Sequence, residues 1–435
     1  MEKSPRSRSE GKPVGSKGTS SLRRRLSRLG DKRRDDSPPP APGLAQARTL
    51  PAGSEVETPF GAAFRLERRL PLDHRHGEGL LSDLLSLEGE LIAGLARRGG
   101  FDLPALHQLV FLDTETTGLA GGTGTLVFLV GVGSFSQEGF ILRQYFLRDP
   151  SEEASMLHAL RQDIGAASGF VTFNGQVFDL PLLETRYVLG LSQRWALTRL
   201  PNLDLLPPAR RLWRRSFPDC TLATLERRVL GVIRTEEDVP GERIPGIYLD
   251  YLRRGEVSQI HRVLYHNAED VLSLVGLAAS VLAAHHETRL GGLSSGEALA
   301  VARWHEAGGR FEKAEAAYRR ALAHAGDSLQ REGIILYSRF LKARGRRAEA
   351  ATLWREWHTL LPSDPEPCIE LAKLHEWHTA DLVAAMEWAI EANRCLDDWQ
   401  EGWQRDEAQA QIAHRMERIA RKLGGQAAPA MASSR

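Results

Sequence analysis

Apolar residues recur in two distinct rhythms along this chain, and the change of rhythm marks its architecture. Short runs rich in Val, Leu, Ile and Phe come first: Leu109-Val110-Phe111-Leu112, Leu126-Val127-Phe128-Leu129-Val130, and Phe140-Ile141-Leu142 ahead of Tyr145-Phe146. Runs of this length predict buried strands over 108–113, 125–134 and 140–147. Helical spacing then predicts a helix over 152–163, a strand at 169–173, a helix beginning near Asp179 and a short strand at 202–206. Gly121-Gly122-Thr123-Gly124 lies between two strands with no Lys-Ser/Thr after it, so it reads as a hairpin connection and not a phosphate loop. Three strands, helix, strand, helix, strand is the order of an α/β fold on a mixed sheet.

From residue 296 the pattern is entirely helical and repeats. Gly309, Gly345 and Thr379 stand at equivalent turns, 36 and then 34 residues apart. Five residues before them come Trp304, Phe340 and Leu374; five after come Ala314, Ala350 and Ala384; nine after come Tyr318, Trp354 and Trp388. A period near 34 with small and aromatic residues at fixed offsets predicts tetratricopeptide-like helix pairs over 296–423, whose stacked surfaces commonly bind protein partners. The last stretch, 424–435, is small and polar and reads as a tail. Ahead of the strands, 1–55 reads as a flexible basic arm and 56–104 as an extension with an apolar helix around Leu80–Leu95.

Composition narrows the class. Apolar content of 42% and charged content of 26% suit a soluble globular protein, and 435 residues allow more than one core. The net charge of +1 advertises no global affinity for nucleic acid. Charge is uneven, however: residues 1–36 hold twelve Lys or Arg against five Asp or Glu. Cys220, Cys368 and Cys395 are too far apart and too few for a disulfide framework or a sequence-level zinc pattern, which fits a cytoplasmic location. No run approaches the ~20 apolar residues of a membrane span.

The chemistry concentrates at Asp113-Thr114-Glu115-Thr116-Thr117-Gly118. Strand side chains alternate, so Asp113 and Glu115 point the same way. Two like charges beside a buried run repel each other, and a divalent cation between them makes the pair favourable. Downstream, Phe173-Asn174-Gly175-Gln176-Val177-Phe178-Asp179 reads as strand, turn and helix start, and Tyr265-His266-Asn267-Ala268-Glu269-Asp270 places His266 and Asp270 on one helix face. In this order the three motifs resemble those of the DEDD, or DnaQ-like, exonucleases of the ribonuclease H-like superfamily, over roughly residues 105–285 of a domain expected to span 105–290. Asn202-Leu203-Asp204, Ala209-Arg210-Arg211-Leu212-Trp213, Thr221-Leu222-Ala223-Thr224-Leu225-Glu226 and Ile244-Pro245-Gly246 look like its YprB-type subgroup, in which such a domain precedes tetratricopeptide-like repeats.

The resemblance implies a ribonuclease H-like mixed sheet. It also implies that Asp113, Glu115, Asp179 and Asp270 hold two Mg²⁺ or Mn²⁺ ions for hydrolysis of nucleic acid, DNA or RNA, from the 3′ end. His266 is the candidate general base, four positions before Asp270 where the family's histidine subgroup has five; Tyr265 holds the five-position spacing. Thr116 and Asn174 are candidate substrate contacts, and Asn174 reads equally as a turn residue. Arg210 and Arg214, beside Arg211, Arg215 and Trp213, read either as a rail for a phosphate backbone or as a solvated face. Asp204 reads as structural. The competing function is an inactive nuclease-like adaptor that binds nucleic acid or protein partners.

Overall fold

The computed structural model describes residues 49–87, 108–118, 124–323 and 326–432, so residues 1–48 of the basic arm, the second half of the helix expected at Leu80–Leu95 and the Gly121–Thr123 connection lie outside the described residues. The chain divides into two compact units, one of residues 1–210 with 219–283 and one of 211–218 with 284–435.

Besides a short hairpin of Arg75–His76 with Gly79–Leu80, the described residues of the first unit form seven strands, β1 (Ser54–Thr58), β2 (Gly61–Leu70), β3 (Leu109–Thr116), β4 (Val127–Ser136), β5 (Gly139–Phe146), β6 (Gly169–Thr172) and β7 (Asn202–Asp204). They form one mixed sheet in the order β1-β2-β5-β4-β3-β6-β7. β3 pairs antiparallel with β4 and parallel with β6, which pairs parallel with β7. The strands expected from the apolar runs are all present. Residues 54–70, expected as part of the arm and extension, instead add two strands to the sheet edge, with Phe64 opposite Phe146 and Leu70 opposite Phe140. Ala63, Phe64 and Leu70 are the buried residues that hold β2 there.

Helices α1 (Glu153–Ile164), α2 (Asp179–Leu191) and α4 (Ile244–Arg254) bring Leu157, Leu160, Leu183, Tyr187 and Tyr248 into a core with Val110, Leu112, Phe128 and Val130. Tyr248 stacks on Phe128, with ring centroids 4.0 Å apart. Helix α3 (Leu206–Trp213) follows β7, and α5 (Ile260–Ala284) follows α4. α5 is long and apolar enough to cross a membrane by length and composition, but 67% of that stretch is buried inside the protein, as suits a core helix.

The other face of β3, that of Phe111, Asp113 and Glu115, receives α5. Gly131 on β4 lies opposite Asp113. A Cβ there would come within 2.3 Å of Asn267 Oδ1, so only glycine lets α5 press this close to the sheet. Gln144 of β5 fastens the same helix, its amide donating to Leu264 O at 2.7 Å and to Asn267 Oδ1 at 2.9 Å.

The second unit is all helical: α6 (Ser295–Ala307), α7 (Phe311–Ala323), α8 (Asp327–Ala343), α9 (Arg347–Leu360), α10 (Glu366–Trp377), α11 (Leu382–Arg394) and α12 (Trp403–Ala432). α12 runs past the boundary expected at 424. Gly309 and Gly345 take positive φ (72° and 77°) in the turns ahead of α7 and α9. In the third turn it is Ala380, at φ 55°, and not Thr379 that does so. The true repeat is therefore one residue longer there, and Ala385 and Ala389, not Ala384 and Trp388, occupy the fully buried positions.

Candidate active site

β3 lies inside the sheet with partners on both edges, so the backbone that carries Asp113 and Glu115 is fixed on both sides. The strand does not end at residue 113 as its apolar run suggests but continues to Thr116, with a bulge in its pairing between Glu115 and Thr116. A bulge at this place re-aims the strand's last side chains. Asp113 Oδ2 accepts a hydrogen bond from Asn267 Nδ2 at 2.8 Å, which ties the first motif to α5.

One turn further along α5 stands Asp270. His266, four residues before it, has Nε2 3.4 Å from Asp270 Oδ2 and 3.9 Å from Glu115 Oε1. One ligand atom from each of Glu115, His266 and Asp270 lies within 4.8 Å of the other two. On the far side of the ring, Nδ1 is 2.8 Å from Asp238 Oδ1. An Arg234 guanidinium nitrogen lies 3.0 Å from the same Nδ1, so Asp238 and Arg234 together hold the ring with Nε2 turned to the cluster. Tyr265 turns elsewhere: its hydroxyl accepts from the Thr235 N–H at 3.3 Å.

Asp179 is the first residue of α2 and is buried. Thr114 Oγ1 donates to its Oδ1. The turn before α2 is set by Asn174 at φ 65°, whose N–H donates to Asp204 Oδ1 at 2.8 Å, and the Leu206 N–H donates to the same oxygen at 3.1 Å. Asp204 thus braces two backbone turns, as its structural reading expects, and Asn174 is exposed in the turn it shapes.

The negative charge of the cluster is only partly compensated. Burial, then the charges of Asp270 and Asp179, hold the Asp113 carboxyl well above the usual range. Burial and the neighbouring Asp113, Asp270 and Asp179 do the same to Glu115. Burial pushes Asp179 up to about 6, against the lowering effect of the Thr114 hydrogen bond. Buried acids that raise one another in this way form a hard-oxygen donor set, and such a set fits Mg²⁺ or Mn²⁺.

Sequence reasoning missed four contributors. Arg234 forms an ion pair with Asp270, contacts Glu226 at 2.5 and 2.8 Å, and lies 3.3 Å from Asp238. Burial opposes its charge, but Glu226 and Asp270 outweigh that and raise its pKa above the ordinary arginine value. Asp238, Asn267 and Thr114 orient His266, Asp113 and Asp179 respectively. Glu226 closes the quoted Thr221–Glu226 motif, which was the one available signal for this network.

Thr116 is buried, and its hydroxyl donates to Gly118 O at 3.0 Å. Arg210 and Arg214 are exposed at and just beyond the end of α3. Trp213 is only 4% exposed and its indole N–H donates to Glu297 Oε1 at 2.7 Å, so it does not offer a ring for base stacking. Arg215 is paired with Glu332.

A mixed sheet carrying acids on its inner strand and on the helices against it defines a ribonuclease H-like domain, and the family model RNase_H_2, of the RNase_H superfamily, matches residues 110–282. Beyond that domain, the chain is 31% identical over 336 residues to Uncharacterized protein YprB of Bacillus subtilis (strain 168), an alignment that takes in 74% of this chain and 78% of that protein. The chain belongs to the YprB family of ribonuclease H-like proteins.

Proposed function

We propose that the protein is a two-metal nuclease of the DEDD type that removes nucleotides from the 3′ end of a nucleic acid strand. The observation that carries this reading is the cluster of Asp113, Glu115, Asp179 and Asp270, from three separate motifs, in which burial raises three of the four acids and repulsion within the cluster adds to it for Asp113 and Glu115. These four residues would hold Mg²⁺ or Mn²⁺. When bound, such ions neutralise the cluster and supply Lewis-acid stabilisation to the oxygens of an in-line displacement at phosphorus.

His266 Nε2 takes the proton of the attacking water, while the Asp238 carboxylate, 2.8 Å from Nδ1, stabilises the resulting imidazolium. Asn267 and Thr114 keep the oxygens of Asp113 and Asp179 in place. Arg234 balances Asp270 and offers N–H donors beside the charge that develops on the phosphate. Thr116, Asn174, Arg210 and Arg214 are assigned to the sugar-phosphate backbone, and the tetratricopeptide-like unit to a protein partner. The 3′ polarity follows from the resemblance of the motifs.

The test is hydrolysis of 3′- and 5′-labelled single-stranded DNA and RNA with Mn²⁺, wild type beside Asp113→Ala. Shortening from the 3′ end that disappears in the variant is the expected result. Retained binding with no cleavage by the wild type would replace this reading with that of an adaptor, which the Arg234 ion pair on Asp270 also suits.

A further inference from the structure

Two of the three cysteines, distant in sequence, meet in the helical unit. Cys368 stands in the first turn of α10, Cys395 caps the C-terminus of α11, and His358 stands in the last turn of α9. His358 Nδ1 lies 3.3 Å from Cys368 Sγ, and one ligand atom from each of the three residues lies within 4.8 Å of the other two. A tetrahedral zinc ion holds sulfur and nitrogen ligands at about 2.3 and 2.0 Å, which sets N···S edges near ~3.6 Å and S···S edges near ~3.8 Å. The His358–Cys368 pair is already within that spacing, and no pair of the three ligand atoms is more than 4.8 Å apart.

We infer that His358, Cys368 and Cys395 form a binding site for one thiophilic cation, zinc in the first place, with a fourth position left for water or another ligand.

Three further observations support the assignment. His358 Nε2 faces Glu391 Oε1 at 3.5 Å, so with Nδ1 on a metal the other ring nitrogen has a carboxylate to receive its proton, the outer partner that metal-binding histidines commonly have. The surroundings are apolar: Cys368 and Cys395 are buried with Ala392, Leu396 and Ile412, and Trp388 and Trp399 pack against them. Binding a divalent ion here deprotonates both thiols and leaves a neutral bis-thiolate centre, which suits this interior better than free thiolates beside Glu391 and Asp364. The donor set is also of the opposite kind to the carboxylates of the ribonuclease H-like domain, so the two sites select different metals: Mg²⁺ or Mn²⁺ there, zinc here. Cys220 belongs to the other unit and has no part in this site.

The experiment uses the full chain, reduced and stripped of metal by a chelator, titrated with Co²⁺ as a spectroscopic substitute for zinc. A thiolate-to-cobalt charge-transfer band that saturates at one equivalent and is erased by added Zn²⁺ is expected. It should vanish in Cys368→Ser, survive unchanged in Asp270→Ala, and require roughly ten- to a hundredfold more metal in Glu391→Gln. His358→Gln, at a half-buried position, guards against misfolding: it should keep the wild-type circular dichroism and still lose tight Zn²⁺ binding in a competition with a chromophoric chelator. The inference is overturned if the reduced wild type gives no such band. It is equally overturned if the band persists in Cys368→Ser, or if the cysteines of the purified protein are found joined as a Cys368–Cys395 disulfide that excludes metal.

Discussion

The two units bury carboxylates in opposite ways. In the helical unit Glu376 is enclosed by Arg415 at 3.3 Å, Arg418 at 2.8 Å and Lys422 at 2.8 Å, and Arg418 and then Lys422 hold its carboxyl down to about 2. Glu370 is likewise bracketed by Lys342 and Lys373. In the ribonuclease H-like unit Asp179 is buried and Asp113 and Glu115 are half-buried in the same cluster, and all three carboxyls are pushed up. Buried acids with cations around them serve the fold; buried acids crowded together are a cost to the fold and a marker of function.

The contrast can be broken at several points. Asp270→Ala should lower Mn²⁺-dependent hydrolysis on the order of 10³-fold, whereas Glu376→Gln should leave the rate per folded molecule unchanged, both measured as initial rates on a labelled oligonucleotide. Asp238→Asn should cost about ten- to a hundredfold in rate by releasing His266, and it should shift the pH–rate profile, a result that mere structural damage would not give.

Stability should move the other way. Glu376→Gln leaves three cations without their partner and should cost about 2 kcal/mol in urea unfolding, less than a fully buried pair because Arg418 and Lys422 face solvent. The depressed carboxyl contributes stability above the ordinary range near pH 4.5 and loses it as pH falls toward 2. Asp113→Asn, assayed in chelator, should instead raise stability by about 1 kcal/mol at pH 8. Its raised carboxyl binds a proton more tightly in the folded state, so the penalty sets in as pH rises above about 4 and the gain from Asn should fade toward that pH. An unchanged or lower melting temperature for Asp113→Asn at pH 8 would contradict the account of the cluster. The smallest effect concerns backbone: Ala380→Gly at φ 55° should add about 0.5 kcal/mol in thermal melts.

Much of this was legible in one sequence, for physical reasons that also explain what was not. Asp113, Asp179, His266 and Asp270 each sit at a fixed offset from an apolar run or helix face, so pattern alone puts them on definite elements. Arg234 and Asp238 sit in a loop and reach the site across 36 and 28 residues of chain, where no local periodicity signals them. Trp213 carried a misleading signal: among arginines it reads as a recognition residue, yet burial and Glu297 claim it. The edge strands β1 and β2 were missed because Arg65, Glu67 and Arg69 obscure an alternation that the pairing with β5 makes plain. Cys368, Cys395 and His358 were invisible as a group because helix packing, not spacing, brings them together.

Helix α5 has a consequence for how the protein is made. Among the described residues it is the one helix long and apolar enough to span a membrane, and the strands that receive it, β3 to β5, all precede it in the sequence. During synthesis that sheet surface emerges from the ribosome first and waits, so the segment most liable to stray into a membrane or an aggregate meets its own docking face on arrival. A circular permutation opened between α4 and α5 would place α5 ahead of β3 and reverse that sequence of events. The permuted chain should then yield less soluble protein during expression, yet refold from urea as well as the original.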